Sequence, residues 1–562
     1  MPKRSDAITK GSQRAAARAM LRATGMGDAD FDRPMVAVVN TYSSVTPCNM
    51  HLKALAPHVV RGVREAGGWP VEFGTIVVSD GITMGHEGMR ASLMSREVIA
   101  DSIELAVRGH ALDAAVIMVG CDKTIPAAAM ALARLDVPGV VFYGGTIAAG
   151  CPASGAKAGQ DISIQDAFEA VGAHARGTIG DDELGAIERA ACPGAGSCGG
   201  QFTANTMAMA LAFLGLAPMG AGDPPAEHED KPIEAERCGR LAAERALGPG
   251  ARSIVTEASL RNAALSVVAS GGSTNAVLHL AAIAAEAGVP FSIDLFDALS
   301  RDTPVIANLK PGGRYLAQDL HAVGGCRRFG QVLAGAGMLA DTPTVTGRTL
   351  LEELSEAEAH ADEDVIRPLD NPVKATGGIR VLYGDLAPEG AVLKTAGYAD
   401  AAFEGPARVF EREEDAFAAV QEGRIVAGDV VVIRHEGPRG GPGMREMLAV
   451  TAALAGQGLA GRVALITDGR FSGASHGFVI GHVAPEAAVG GPIALIEEGD
   501  RVRIDAEARR IDADVDWDAR RAAHVPRPPR RHGGYFDKFA ALVGSASRGA
   551  TTLQAPPQNG DH

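Results

Sequence analysis

An alternation of buried strands and helices over the first two thirds of the chain most constrains its fold. Strand-like runs such as "MVAVVN", "AAVIMVG" and "GVVFYGG" are separated by helix-like segments, among them "SREVIADSIELAVRGH" and "PAAAMALARL". Parallel strands need crossover connections of this length, so the pattern predicts a parallel sheet covered by helices. We also expect a strand over "GTIVVSD", which predicts that Asp80 lies at a strand end.

The pattern changes after a charged and then turn-rich segment at 355–378, which we interpret as a domain junction. Beyond it, short strand candidates separated by Gly, Pro and Asp predict a β-barrel or sandwich; they include "RVLYGDLAPEGAVLK", "GDVVVIRHEGP", "RVALITDG" and "PIALIEEGDRVRID". We therefore expect an N-terminal α/β domain over 1–370 and a smaller C-terminal β-barrel-like domain over 371–548. The polar end of the chain, 549–562, is expected to be a disordered tail.

Composition restricts the class of function. The formal net charge of -15 and a pI near 5.5 disfavour a nucleic-acid partner or a membrane surface. No apolar run approaches the roughly 20 residues that span a bilayer, and the basic N-terminus lacks the apolar core of a secretory signal. The 7 cysteines, an odd number, favour reduced thiols over a disulfide framework. We expect a cytoplasmic enzyme that acts on a small molecule.

Reactive side chains follow the predicted strands. The loops that do so carry Cys48, Asp80 and the consecutive Cys, Asp and Lys at 121–123. Because ligands bind at the carboxyl edge of an open parallel sheet, we expect these loops to form one site. A glycine-rich loop, "CPGAGSCGG", adds Cys198. Thiolates favour a soft metal or an iron–sulfur cluster, whereas carboxylates favour a hard ion such as Mg²⁺.

The same residues also have ordinary structural interpretations. A single buried Cys is most often a small hydrophobe, and the sequence contains no CxxC pair. Asp80 before Gly81 is typical of a turn, and Lys123 can form a simple ion pair with Asp122. The glycine loop matches neither Walker A nor GxGxxG. From the residues alone, a metal-dependent enzyme is as far as the inference goes.

Longer blocks carry a resemblance that covers nearly the whole chain. In chain order they are "TPCNMHL", "VSDGITMGHEGM", "GCDKTIPAAAMALARLDVPG", "ACPGAGSCGGQFTANTMAMA", "GGSTNAVLHL", "LKPGGRYLAQDLHAVGG", "RPLDNPVKATGG", "EGPRGGPGMREML" and "ITDGRFSGASHGFVIGHVAPEA". These blocks closely resemble the motifs of the dihydroxy-acid dehydratase family, which also contains sugar-acid dehydratases. They are more similar to the branched-chain amino-acid enzymes of the family than to its sugar-acid enzymes.

The resemblance implies two cofactors and a base. An iron–sulfur cluster, expected to be 2Fe-2S although related enzymes carry 4Fe-4S, would be held by Cys48, Cys121 and Cys198. Mg²⁺ would be held by Asp80, Asp122, Glu446 and Lys123. Lys123 would be carbamylated, because a CO₂ adduct turns a repelled ammonium into an anionic oxygen ligand. The base would be Ser472 in "GRFSG". Cys192 falls outside the ligand position of the family, and Cys151, Cys238 and Cys326 are expected to be packing residues or incidental.

The reaction implied is removal of water from a 2,3-dihydroxy carboxylate to give a 2-keto acid. The implied substrates are 2,3-dihydroxyisovalerate and 2,3-dihydroxy-3-methylvalerate, in valine and isoleucine biosynthesis. The resemblance also implies a homodimer or a dimer of dimers. Two alternatives stay open: an aldonate dehydratase of the same family, and a non-catalytic iron–sulfur redox protein, which would need neither a hard-ion site nor Ser472.

Overall fold

The computed structural model describes residues 3–357, 363–395, 402–475, 477–527 and 530–553. The strands are β1 Met35–Asn40, β2 Trp69–Gly74, β3 Ala114–Val119, β4 Gly139–Tyr143, β5 Ile379–Leu382, β6 Gly390–Lys394, β7 Ala402–Phe410, β8 Val430–Ile433, β9 Glu446–Met447, β10 Ala464–Thr467, β11 Arg470–Phe471, β12 Phe478–Ala484, β13 Arg501–Asp505 and β14 Arg510–Ala513. The first seventeen α-helices, in chain order, are α1 Asp6–Thr9, α2 Ala15–Ala23, α3 Pro47–Met50, α4 Leu52–Glu65, α5 Asp80–Thr83, α6 Arg90–Gly109, α7 Thr124–Leu135, α8 Ile164–Ala175, α9 Asp181–Ala190, α10 Thr203–Leu214, α11 Lys231–Glu244, α12 Glu257–Ala269, α13 Asn275–Ala287, α14 Asp294–Asp302, α15 Ala317–Ala322, α16 Gly325–Gly335 and α17 Leu350–Leu354. After β7 come α18 Glu413–Gln421, α19 Ala449–Gly456, α20 Trp517–Ala523 and α21 Gly534–Leu542.

The N-terminal sheet is parallel, in the strand order β2-β1-β3-β4. Its central strands are buried on both faces, as their continuous apolar sequences predict. Helices α4 and α11 pack together so closely that a side chain on Gly239 would place its Cβ 2.1 Å from the Val59 carbonyl oxygen. The sheet and its helices share one large apolar core, and the α/β class expected for this half is confirmed.

The second strand lies earlier in the chain than the sequence suggests. Its pairing with β1 ends at Gly74, and the Thr75 N–H makes one further hydrogen bond, to the Asn40 carbonyl oxygen at 3.1 Å. Residues 75–79 then leave the sheet edge, and Ile76 is 48% exposed. The prediction of a strand over "GTIVVSD" is therefore wrong, and Asp80 opens the short helix α5 instead.

The C-terminal half is an eight-stranded, nearly closed barrel in the order β14-β13-β7-β8-β10-β12-β6-β5. The run β7-β8-β10-β12 is parallel, and the other pairs are antiparallel. A bridge between Tyr383 and Arg510 joins the two outer strands, with the Tyr383 N–H bonded to the Arg509 carbonyl oxygen at 2.9 Å. Val432, Ile466 and Ile480 belong to its core. The barrel-like domain predicted for this half is confirmed.

A two-stranded parallel ribbon, β9-β11, forms a separate small sheet beside the barrel. It pairs Glu446 with Arg470 and Met447 with Phe471. Met447 and Phe471 pack into the apolar core that α18 and α19 share with the barrel. Successive side chains of a strand point to opposite faces, so this anchoring leaves Glu446 and Arg470 on the other face of the ribbon.

Both expected domain limits involve residues that contact the N-terminal half. At the junction, residues 363–374 form bridges back to it, between Ala307 and Ile366 and between Val305 and Lys374, whereas residues 358–362 lie outside the described part. Residues 549–553 of the expected tail are placed, and the Arg96 guanidinium donates to the Ala550 carbonyl oxygen at 2.7 Å. Residues 554–562, the rest of that tail, lie outside the described residues.

Among the helices that the structure describes, none combines the length and the apolar character needed to cross a membrane.

Candidate active site

Four loops meet at the carboxyl edge of the N-terminal sheet, and three of them bring cysteines. Cys48 lies on α3 beyond β1, and Cys121 follows β3. Cys198 arrives through a bridge between Ser197 and Thr146, which ties its glycine-rich loop to the chain just beyond β4. The Cys48 thiol interacts with those of both Cys121 and Cys198. The three thiols named from the resemblance therefore face one another.

Their surroundings keep all three thiols protonated in the cofactor-free protein. The interaction with Cys121 lowers the pKa of Cys48, but the interaction with Cys198 and burial raise it well above the usual range. For Cys121, the interaction with Cys48 and burial both raise the pKa. The interaction with Cys48 lowers the pKa of Cys198, which burial and the Asp122 charge raise overall. A bound cation is the partner that would favour the thiolates here.

Beside the thiols, Asp80, Asp122 and Glu446 form an acidic triad whose ligand atoms all lie within 4.8 Å of one another. Asp80 opens α5, Asp122 follows β3, and Glu446 comes from the ribbon of the other half. The buried Lys123 ammonium lies 2.5 Å from Asp80 Oδ2, 3.3 Å from Glu446 Oε2 and 3.7 Å from Asp122 Oδ2. It stands where a cation would be attracted by all three carboxylates.

Neighbouring groups orient the triad. The Ser92 hydroxyl lies 2.9 Å from both carboxylate oxygens of Asp80. The Asn275 amide donates to Glu446 Oε1 at 3.0 Å, and the Arg470 guanidinium lies 3.1 Å from Glu446 Oε2. Fixed partners of this kind hold ligand oxygens in one orientation and so favour a preformed metal site.

The charges of the triad act on one another because they are buried. Burial raises the pKa of Asp122, although the Lys123 charge opposes it. Burial lowers the pKa of Lys123, but Asp80 and Glu446 raise it by more, so Lys123 is held as an ammonium in the unmodified protein. In the part of the chain that the structure describes, the cations within ion-pair distance of these three carboxyl groups are Lys123 and Arg470. A bound cation would favour the ionised form of Asp122, whose pKa burial raises to about 7.

One cavity of about 160 Å³ connects the two clusters. The predicted site residues that line it are Cys48, Asp80, Cys121, Asp122, Cys198, Glu446 and Ser472, while Lys123 lies behind its wall. Ser472 follows β11, is only 9% exposed, and its Oγ accepts a hydrogen bond from the Ala474 N–H at 3.3 Å. The structure thus brings the predicted thiols, carboxylates and serine together, with residues from both halves.

The rest of the cavity wall is largely apolar. Phe202, Leu448 and Ala474 form a small buried cluster, against which Ile164 and Phe168 of α8 pack. Ile82, Met84 and Ile147 also line the cavity. The cavity lining therefore combines thiols and carboxylates with apolar side chains that can bury a hydrocarbon group, and Cys198 packs against the apolar cluster.

Several site residues escaped the sequence analysis of individual positions. Arg470 and Asn275 both bind Glu446, and both stand in blocks that carried the resemblance, "GRFSG" and "GGSTNAVLHL". Cys192, which falls outside the ligand set implied by the resemblance, is an exposed thiol that lines the cavity. The chain gives no periodic signal for such residues, because Cys192 lies in a loop, Asn275 starts a helix and Arg470 lies on a strand of two residues.

Two family models and several relatives match nearly the whole chain. Residues 33–353 match the family model described as dihydroxy-acid/6-phosphogluconate dehydratase N-terminal, and residues 364–550 match its C-terminal counterpart. A dihydroxy-acid dehydratase of Koribacter versatilis (strain Ellin345) is 54% identical over 98% of this chain and 96% of its own length. Dihydroxy-acid dehydratases of Roseiflexus sp. (strain RS-1) and of a Thermus thermophilus strain are 52% and 53% identical, over 98% and 97% of this chain and 99% of each relative.

The fold, the site and these matches define a metal-dependent hydro-lyase. The chain belongs to the dihydroxy-acid/6-phosphogluconate dehydratase family. It is therefore an enzyme that removes water from its substrate, and the alternative of a non-catalytic redox protein has no support.

Proposed function

We propose that this enzyme is a dihydroxy-acid dehydratase that converts 2,3-dihydroxyisovalerate and 2,3-dihydroxy-3-methylvalerate into 2-keto acids for valine and isoleucine biosynthesis. The observation that carries the proposal is the lining of the cavity, which combines three thiols and three carboxylates with a cluster of apolar side chains. The names of its relatives, at 51% to 54% identity over nearly their whole length, support the same activity.

The donor atoms fit the two proposed cofactors. Cys48, Cys121 and Cys198 offer three soft thiolates, which suit a 2Fe-2S cluster, with 4Fe-4S as the alternative. Asp80, Asp122 and Glu446 offer hard oxygens, which suit Mg²⁺, and a carbamate on Lys123 would add a further one. When bound, the cluster would supply a Lewis acid for the C3 hydroxyl, and Mg²⁺ would supply positive charge near the carboxylate and the C2 oxygen.

In the proposed reaction, Ser472 Oγ, as an alkoxide, takes the proton from C2 as the bond between C3 and its hydroxyl breaks. Ser472 passes this proton to the leaving hydroxide, which gives water and restores the alkoxide. The remaining enol loses its O–H proton as C3 gains a proton, which gives the 2-keto acid with no net oxidation. An ordinary serine hydroxyl is a weak acid and needs local help to act as a base. The Ala474 N–H, bonded to Ser472 Oγ, is one fixed dipole that stabilises negative charge on that oxygen.

The apolar side chains of the cavity lining discriminate between the two substrate classes of the family. A branched-chain dihydroxy acid ends in methyl or ethyl groups, which gain by burial against Phe202, Leu448 and Ile164. An aldonate would place further hydroxyls against the same side chains. Hydroxyls that lose water without a hydrogen-bond partner cost roughly 1–3 kcal/mol each, so this lining favours the branched-chain acids.

The test is an assay of the purified enzyme. Protein prepared without oxygen and supplied with Mg²⁺ should form 2-keto acid from 2,3-dihydroxyisovalerate, with a far lower kcat/KM for an aldonate such as gluconate. Iron and sulfide analysis of the same sample would report the cluster type. A higher kcat/KM for the aldonate would reject the branched-chain assignment and leave the sugar-acid activity in its place.

The proposal includes the cellular location and the oligomeric state of the protein. All seven cysteines, each within the described part of the chain, are free thiols, which suits a reducing cytoplasm. Apolar side chains near the cavity are unusually exposed, Val45 by 61% and Ile82 by 53%, which favours a homodimer or a dimer of dimers that covers them. Light scattering on the purified enzyme would test this assembly, and a monomer at micromolar concentration would contradict it.

A further inference from the structure

A buried lysine of the barrel reaches the loop that carries Ser472. Lys394 is the last residue of β6 and is only 3% exposed. Its Nζ donates a hydrogen bond to the Gly473 carbonyl oxygen at 2.6 Å. Since β6 pairs with both β5 and β12, the lysine backbone is fixed by the barrel and its side chain crosses from the barrel to the active site.

This lysine stands in surroundings that disfavour its charge. Among the described residues, no carboxylate lies within ion-pair distance of Lys394, and burial lowers its pKa to about 7. A methionine or leucine would fill such a position at a lower cost in desolvation. The hydrogen bond to the Gly473 carbonyl oxygen is the interaction that an amine makes at this position and that an apolar side chain could not make.

Gly473 is held from three sides. Its carbonyl oxygen accepts from Lys394, and its N–H donates to Glu446 Oε1 at 3.3 Å. A Cβ on this glycine would lie 2.9 Å from both Ser273 Oγ and the Thr203 nitrogen, at the starts of two helices of the N-terminal half. The loop that contains Ser472 and Gly473 therefore packs between the two halves, and the hydrogen bond from Lys394 connects it to the barrel.

From these contacts we propose that Lys394 is a positioning residue for catalysis, which fixes the Ser472 loop so that Ser472 Oγ meets the C2 proton of the substrate. Lys394 does not line the cavity, so it acts through the Gly473 peptide and not on the substrate. The inference rests on the proposed role of Ser472. It predicts a specific loss in the proton-transfer step, with substrate and metal binding kept.

The experiment compares three variants of the full-length, cofactor-loaded enzyme. Lys394→Met removes the donor and keeps the length and apolar stem, and Lys394→Gln keeps a shorter donor. Lys374→Met is the matched control, because Lys374 is a second lysine with a pKa lowered by burial, to about 8, and its Nζ donates to the Thr395 carbonyl oxygen at 2.7 Å instead of to the serine loop. Each variant is assayed for kcat, KM, exchange of C2 deuterium with solvent, and thermal unfolding.

The expected result is a fall in kcat of about 10²-fold for Lys394→Met, the scale of a misplacement near 1 Å, with KM nearly unchanged. Deuterium exchange should fall in parallel, Lys394→Gln should recover part of the loss, and Lys374→Met should keep the parent kcat. A crystal structure of Lys394→Met should show the Ser472 loop displaced, a readout independent of turnover.

Two outcomes would overturn the inference. One is a folded Lys394→Met enzyme with the parent kcat and an undisplaced loop. The other is an equal loss of kcat and thermal stability in Lys394→Met and Lys374→Met, which would indicate a purely structural role. If the parent enzyme dehydrates no branched-chain dihydroxy acid, the proposed function is rejected instead. The crystal structure of Lys394→Met would still show whether Lys394 holds the Ser472 loop in place.

Discussion

The two halves of the molecule contribute to the site in different ways. The N-terminal half supplies all three thiols on loops at one sheet edge, beyond β1, β3 and β4. The C-terminal half supplies Glu446 from a ribbon of two-residue strands that is not part of the barrel, and Ser472 from the loop that directly follows this ribbon. A parallel sheet gathers loops by its topology alone, whereas the ribbon depends on packing against α18, α19 and the barrel.

The difference separates the proposed cofactors. A cluster on the three thiols needs only the N-terminal half, but the acidic triad is complete only when Glu446 meets Asp80 and Asp122. The proposed base comes from the C-terminal half and lines a cavity whose thiols belong to the other. Changes in the ribbon should therefore leave cluster assembly unaffected. Mg²⁺ binding and proton transfer should depend on the contact between the two halves, because they need residues from both.

The largest effect is expected when the contribution of the N-terminal half is broken at Cys48. Cys48→Ser replaces a soft thiolate by a hard hydroxyl, so the cluster should be lost and dehydration abolished, as measured by iron counting, visible absorption and keto-acid formation. Cys192→Ser is the matched control, since Cys192 lines the same cavity outside the proposed ligand set. A Cys48→Ser enzyme with the native spectrum and full activity would remove Cys48 from that set.

Removal of Mg²⁺ should empty the acidic triad, which both halves of the molecule form, and leave the cluster on the three thiols intact. A chelator is expected to abolish turnover because the acidic triad then lacks the charge that it is built to hold. The cluster absorption should stay largely unchanged, and added Mg²⁺ should restore turnover. If chelation left turnover intact, or removed the cluster as well, two separate sites would be the wrong description.

Ser472→Ala should break the catalytic contribution of the C-terminal half alone. Loss of a general base typically costs 10²–10⁴-fold, so we expect a fall in kcat of roughly 10²-fold or more, together with loss of C2 deuterium exchange. Cluster and Mg²⁺ content should match those of the parent enzyme. Ser475→Ala, at a buried serine that bonds Thr451 and does not line the cavity, is the control.

Near-normal turnover in a metal-replete Ser472→Ala enzyme would reject the serine as base. Lys123 in its carbamylated form would then be the next residue to test, as would His476, which lies outside the described residues.

The same contrast explains how much the sequence could predict. The buried strands of a parallel sheet can be recognised in the sequence as continuous apolar runs, and β1, β3 and β4 lie where these runs predicted. The loops that carry Cys48 and Cys121 could therefore be placed from the residues alone. The apolar run at 76–78 misled, because those residues leave the sheet and Ile76 is half exposed. Burial, not composition, separates that run from a strand.

No periodic signal could have placed the residues of the ribbon. Strands of two residues are too short for an alternation to show, and Glu446 and Ser472 entered the candidate site only through the resemblance of their blocks. The contacts of Arg470 and Asn275 with Glu446 join segments about 24 and 171 residues apart in the chain, which no local pattern encodes.

The smallest expected effect concerns the contact of Asn275 with Glu446, which spans the two halves. Its amide donates to Glu446 Oε1 at 3.0 Å, and Arg470 holds the other carboxylate oxygen. Asn275→Ala removes one of these supports without touching a proposed ligand, and the loss of such an orienting partner usually weakens metal binding about 10–100-fold. Titration of turnover with Mg²⁺ should therefore show a higher concentration for half-maximal activity, while kcat at saturating Mg²⁺ and the cluster absorption stay close to those of the parent. Asn262→Ala is the matched control, because that buried asparagine bonds the Ala340 carbonyl oxygen far from the cavity. An unchanged Mg²⁺ requirement in Asn275→Ala would mean that the ribbon alone orients Glu446, and a lost cluster would mean that the halves are coupled more tightly than two separate sites allow.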